Sequence, residues 1–173
     1  RLNLLLILIS TSNLLVSLTF LGTFAIINLQ KAKSEGVTMN RIMVIGCPGS
    51  GKSTFSKALH EITDIPLYHL DMMYWNADKT TVDKEVFREK LSGTIQKSQW
   101  IIDGNYGSTI ELRLQACDTV IFLDYPVDVC LSGIRERRGK ARTDMPWIEK
   151  SDEEDAEFIE FIKNYNSQSR PEV

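Results

Sequence analysis

The sequence predicts an α/β domain in three layers, a central parallel sheet with helices on both faces, and three observations carry that prediction. Short continuous apolar runs, Ile42-Met43-Val44-Ile45, Trp100-Ile101-Ile102 and Thr119-Val120-Ile121-Phe122-Leu123, suit strands buried on both faces. Between them stand segments whose apolar residues recur at helical spacing. The first run also ends in a glycine-rich turn, Gly46 to Gly51, that leads directly into the first helical segment.

Taken along the chain, the first strand, Ile42 to Ile45, is followed by a helix from Lys52 or Ser53 through His60, with Phe55, Ala58 and Leu59 on one face. Ile65 to Leu70, with Pro66 near its start, reads as a second strand. Lys84 to Ser98 reads as a helix, because Phe87, Leu91 and Ile95 fall at i, i+4 and i+8. After the strand Trp100 to Ile102, a short helix near Ile110 to Cys117 leads to the strand Thr119 to Leu123. The next helix, Val127 to Arg138, is stopped by Gly139. The last, Glu154 to Ser169, opens on a capping box, Ser151 with Glu154 three positions on, and carries Phe158, Phe161, Ile162 and Tyr165 on one face.

The 173 residues, 43% hydrophobic and 9% aromatic, describe a folded chain rather than a disordered one. Leu2 to Gln30 nevertheless carries no charged residue. Residues 1–38 therefore read as an apolar leader and residues 39–173 as the domain. The leader is long enough for a tilted membrane span, and Lys31, Lys33 and Arg41 against the single Arg1 would leave the domain in the cytoplasm. The alternative is a non-native extension, the domain starting at Met39-Asn40-Arg41. A signal peptide fits less well, since no small-x-small cleavage site follows the apolar core. Either reading expects a cytoplasmic domain that meets a membrane only through residues 1–30.

With Arg1, Lys31, Lys33 and Glu35 set aside, 17 basic and 22 acidic residues remain from Met39 onward, a net charge of −5. That charge disfavours nucleic acid as a partner. Cys47, Cys117 and Cys130 form no Cys-x-x-Cys pair, and His60 and His69 have no cysteine at zinc spacing, so a reducing compartment and no protein zinc site are expected.

Gly46-Cys47-Pro48-Gly49-Ser50-Gly51-Lys52-Ser53-Thr54 matches G-x-x-x-x-G-K-[ST] in the setting that its mechanism needs, between a buried strand and a helix. Glycines allow the backbone to curl so that successive N–H groups point inward, and the helix start adds positive potential; together these cradle nucleotide phosphates. Lys52 then reaches the β- and γ-phosphates and Ser53 offers its hydroxyl to Mg²⁺. Average composition yields this pattern by chance at about 4 × 10⁻⁵ per starting position. Cys47 reads as a small filler within the loop, and its position there predicts sensitivity to thiol reagents.

Three strands end in Asp: Asp71, Asp103 and Asp124. The carboxyl ends of a parallel sheet line the ligand crevice, so each is a candidate. Asp103, followed by Gly104, is the choice for holding Mg²⁺ directly or through water. Asp124, before Tyr125-Pro126, reads instead as a loop-opening residue. Asp71 is open between the two roles, as is the neighbouring Tyr74-Trp75, which suits an acceptor pocket or the core. Arg135, Arg137, Arg138, Lys140 and Arg142 lie around Gly139, and an arginine-bearing lid near 135–150 that brings charge to a transferring phosphoryl group explains that density. The acidic run Asp152 to Asp155 has a sufficient account in offsetting a helix dipole.

These segments together, with His69-Leu70-Asp71, Tyr74-Trp75, Trp100 to Tyr106, Arg113 and Asp118 to Asp124, resemble the adenylate-kinase-related proteins often labelled topology modulation (FlaR-like) proteins. The resemblance runs from about Met39 to the end. It implies a P-loop NTPase fold of the nucleoside and nucleotide kinase type, with ATP and Mg²⁺ bound and a small-molecule acceptor: a nucleoside monophosphate, a nucleoside or a hydroxylated metabolite. Carried over by position, Gly46, Pro48, Gly49, Ser50, Gly51, Lys52, Ser53, Thr54, Arg113 and Arg135 would bind nucleotide or acceptor, Ser53 and Asp103 the metal, and Lys52, Asp71, Asp103, Arg138 and Arg142 would act in catalysis. The alternative is a nucleotide-binding regulator without productive turnover, attached to a membrane if the leader is native. Two departures stand out. Adenylate kinases carry Asp-Gly-Phe-Pro-Arg where this chain has Asp103-Gly104-Asn105-Tyr106-Gly107, so the acceptor-gripping arginine is absent from that place. The related shikimate and gluconate kinases use a strand-end Asp to orient an acceptor hydroxyl, a role open to Asp71. The family pattern also continues beyond the final helix into a further strand, which the sheet is expected to lack. The DNA-topology label finds no nucleic-acid motif in these residues.

Overall fold

The computed structural model describes residues 5–10, 39–140, 142–147 and 155–170. Its sheet has five parallel strands: β1 (Leu5–Ser10), β2 (Arg41–Gly46), β3 (Leu67–His69), β4 (Trp100–Asp103) and β5 (Thr119–Asp124). Their order across the sheet is β1-β5-β2-β4-β3, which puts β2 at the centre between β4 and β5. Helices α1 (Lys52–Thr63), α2 (Leu70–Tyr74), α3 (Lys84–Ile95), α4 (Ile110–Ala116), α5 (Val127–Arg137), α6 (Ala156–Lys163) and α7 (Tyr165–Gln168) complete the order, with a 3-10 turn at Gly107–Thr109.

Alternation along the strands sorts the core into two layers. Ile42, Val44, Ile101 and Ile121 face Phe55 and Leu59 of α1, Cys130 and Ile134 of α5 and Ile162 of α6. Met43, Ile45, Ile102, Val120 and Phe122 face Phe87, Leu91 and Ile95 of α3. Strands covered on both faces have no polar side, which explains why their sequences read as unbroken apolar runs.

Several boundaries differ from expectation. The second strand is only Leu67–His69. Leu70 leaves it to open α2, where its side chain is fully buried and Asp71 lies in the first turn. Helix α3 stops at Ile95 rather than Ser98, the chain turning through the bond from Lys97 N to the Thr94 carbonyl. The final helical region starts at Ala156, capped by Asp155, whose side chain accepts from Phe158 N at 2.9 Å, and it breaks at Asn164. Ser151 and Glu154, expected to form the capping box, lie outside the described residues.

Of the apolar leader, Leu5–Ser10 lies in the sheet, paired with β5 in register from Leu5 with Thr119 to Ser10 with Asp124. The edge expected to lack a strand is thus occupied by this hexapeptide, and the fold does not begin only at Met39. Residues 11–38 lie outside the described residues. Among the described residues no helix is long and apolar enough to cross a membrane.

Candidate functional site

The glycine-rich turn joins β2 to α1. Gly49 and Gly51 have φ of 84° and 85°, the left-handed region where a side chain is strained. Gly51 caps α1, which has no side-chain cap and no acidic residue in its first turn, so the helix end keeps its positive potential for an anion. Lys52 folds back, its Nζ donating to the Cys47 carbonyl at 2.9 Å. Asn105, from the loop after β4, accepts from Gly46 N at 3.0 Å and so fixes where the turn begins. Pro48 and Thr54 belong to the same turn. The Ser50 hydroxyl inside it is buried without a hydrogen-bond partner.

Helix α5 presses against this turn from the other side. A Cβ at Gly49 would stand 2.1 Å from the Cys130 carbonyl oxygen, and one at Gly133 would stand 2.2 Å from the Gly49 carbonyl oxygen. Backbone meets backbone there, and only glycine fits at either position. Cys47 is 2% exposed and its thiol lies against that of Cys130, which together with burial pushes its pKa up. The expected sensitivity of Cys47 to thiol reagents is therefore corrected: a buried, neutral thiol reacts poorly.

Of the three strand-end carboxylates, two converge on Lys52. Pairing of β3 with β4 sets His69 beside Asp103, and His69 Nδ1 lies 2.9 Å from Asp103 Oδ2. The other oxygen, Asp103 Oδ1, is buried without a partner. Asp71 accepts from the Tyr106 hydroxyl at 2.6 Å, and Tyr106 in turn bonds the Trp75 side chain. Burial raises the Asp71 pKa, Tyr106 opposes that, the charge of Asp103 adds to it, and Lys52 and Arg142 offset it. Burial likewise lowers the Lys52 pKa against the pull of Asp103 and Asp71. Asp124 is elsewhere engaged, in a pair with Arg170 at 2.8 Å.

If Asp71 takes a proton during turnover, activity should rise with pH through a limb displaced above the ordinary carboxylate value of about 3.9. Tyr106→Phe removes the one hydrogen bond that favours the charged carboxylate. Its limb should move to still higher pH, as read from a kcat against pH profile of both proteins.

Arg113 corrects an expectation. It was assigned to the acceptor side, but it is fully buried beneath the loop after β4. Its Nη1 donates to the Gly104 carbonyl at 2.8 Å, Nη2 to the carbonyls of Asn105 and Tyr106, and Nε to that of Thr109 at 3.3 Å. With its donors turned to main-chain carbonyls, it positions Asn105 and Tyr106 rather than gripping a ligand. Arg113→Met should cost about 3 kcal/mol in urea denaturation, because several carbonyls lose a charged donor at once.

The basic segment divides. Arg142 reaches the carboxylate cluster, whereas Arg135 is exposed on α5 and Arg138 is the residue that ends it. Gly139 turns the chain with φ of 69°. The part of the expected lid at residues 148–150 lies outside the described residues.

One residue was missed. Asp144 is 2% exposed and receives the Arg142 guanidinium, Lys57 Nζ at 3.0 Å and a bond from the Ser53 side chain. Burial alone would raise its pKa, yet these partners hold the carboxyl well below the usual range. It thereby fastens the 142–147 segment to the first turns of α1. No sequence signal marks it, since its Lys57 partner lies 87 positions away.

Mg²⁺ holds most of its coordination through water and substrate phosphates and needs only one or two protein oxygens. Among the described residues there is no cluster of three or more His, Cys, Asp or Glu arranged for a metal. The Ser53 hydroxyl and the partnerless Asp103 Oδ1 fit the lesser requirement. No protein-family model matches the chain, and no curated protein matches it either.

Proposed function

We propose that this protein is a P-loop kinase in the cytoplasm that transfers the γ-phosphoryl group of ATP to a small-molecule acceptor. The observation that carries the reading is the turn between β2 and α1: left-handed glycines, an uncapped helix start and Lys52 folded over it. Such a turn offers main-chain N–H groups and a positive end to a triphosphate.

In this reading Lys52 leaves the Cys47 carbonyl for the β- and γ-phosphate oxygens, and Arg142 adds charge from the 142–147 segment. Ser53 and Asp103 would hold Mg²⁺, which when bound neutralises charge between the two terminal phosphates. Asp103 is oriented by His69, and Asp71 by Tyr106, so both carboxylates are set before substrate arrives. The protein's contribution is positioning and charge, as phosphoryl transfer requires.

Titration calorimetry of the full chain with magnesium and each nucleoside triphosphate tests this. Heat of binding for at least one, followed by ADP formation that depends on an added acceptor, is expected. Absence of heat for all of them removes the proposal. Binding without any acceptor effect would favour the regulator.

A further inference from the structure

We infer that the acceptor is an uncharged, hydroxyl-bearing molecule and not a phosphate monoester, with Asp71 as the group that takes the hydroxyl proton. The inference rests on the kinase reading above and narrows it.

A phosphate monoester arrives with about −2 charge and needs cations that are not already committed. Arg113, the residue expected to provide one, has its guanidinium turned to the carbonyls of the loop after β4. The cations whose charge reaches Asp71 are Lys52 and Arg142. Lys52 belongs to the triphosphate, and Arg142 is paired with the buried Asp144. What faces an incoming acceptor is instead anionic: Asp71 and Asp103 sense each other's charge, and Asp103 keeps one buried oxygen without a partner. A second dianion beside these carboxylates and the triphosphate would be repelled, whereas a hydroxyl is a donor that a carboxylate can accept.

The surroundings of Asp71 agree. Trp75 bonds Tyr106, and Tyr106 donates to Asp71, so a relay of neutral donors fixes one carboxylate oxygen. The Trp75 ring meets Trp147 edge to face at 5.5 Å, giving an aromatic wall with no charge of its own. In the step itself the acceptor O–H gives its proton to Asp71, the oxygen lone pair forms the new O–P bond, and the bond from the γ-phosphorus to the bridging oxygen breaks. Its electron pair leaves with the nucleoside diphosphate, and the proton passes from Asp71 to solvent. Asp71 is the catalytic residue, and Tyr106 and Trp75 are positioning residues.

The test uses the full chain with magnesium and ATP and two acceptor sets, nucleoside monophosphates and their parent nucleosides with simple sugars. ADP formation should rise with a member of the uncharged set and stay at its basal rate with the monophosphates. Asp71→Asn, which can still accept from Tyr106 and so keeps the loop, should lower that turnover by about 10²–10⁴-fold with KM for ATP unchanged. Fluorescence of Trp75 and Trp147 gives a second reading that does not depend on turnover. With a non-hydrolysable triphosphate bound, AMP should bind Asp71→Asn about tenfold more tightly than the unchanged protein, because one repelling charge is gone. Acceleration by monophosphates, an Asp71→Asn enzyme as active as the original, or equal AMP affinity in both proteins overturns the inference while leaving the kinase reading in place. Failure of ATP to bind at all removes the kinase reading, and calorimetry without any acceptor separates that result from the others.

Discussion

Lys52→Met is expected to lower ATP turnover by about 10²–10³-fold, the usual effect of deleting one preorganised donor from a developing phosphoryl charge, while the fold survives. The separation of the two effects follows from the environment of Lys52. Burial disfavours its charged form and pulls its pKa down, with Asp103 and Asp71 opposing that shift. A methionine of similar length removes the buried charge together with its desolvation cost, so thermal unfolding should occur at the original temperature or above it. Steady-state kinetics and a melting curve on the same preparation check both halves. Turnover within a few fold of the unchanged protein would show that Lys52 does not serve the phosphates.

Gly133→Ala is the reverse case, a small change in the middle of α5 with a large structural effect. Alanine is normally favoured over glycine inside a helix by about 1 kcal/mol. Here its Cβ would lie 2.2 Å from the Gly49 carbonyl oxygen, so helix and turn must separate. Both atoms involved are held by backbone, which leaves no flexible side chain to yield. A net loss of about 3 kcal/mol in urea denaturation is expected, with weaker triphosphate binding because the displaced carbonyl belongs to the turn itself. An alanine variant as stable as the original, binding ATP with the same affinity, would mean that α5 does not support the turn.

Much of the architecture was legible because it is written in local patterns. Ile42 to Ile45, Trp100 to Ile102 and Thr119 to Leu123 are strands as expected, since burial on two faces demands apolar residues without interruption. The helices carrying Phe55 with Leu59 and Phe87 with Leu91 followed from their period. Leu70 was misread because an apolar residue next to a strand fits the strand and the buried first turn of a helix equally well. Leu5–Ser10 was misread for a related reason: apolar residues without charge suit an edge strand as they suit a membrane or a non-native extension, and only pairing with β5 distinguishes them.

Within the candidate site, the sequence by itself determined the glycine-rich turn, because left-handed backbone, a helix start and a lysine all belong to one short stretch whose conformation is set by neighbours in the chain. The tertiary structure alone decided which side chains have partners. Asp103 meets His69 across 34 positions and Asp71 meets Tyr106 across 35, Asp144 binds back to Lys57 across 87, and Arg113 spends its guanidinium on the loop before it. A residue's type states what it can donate or accept. Whether that capacity is still available for a ligand depends on which distant segment the sheet and helices bring against it.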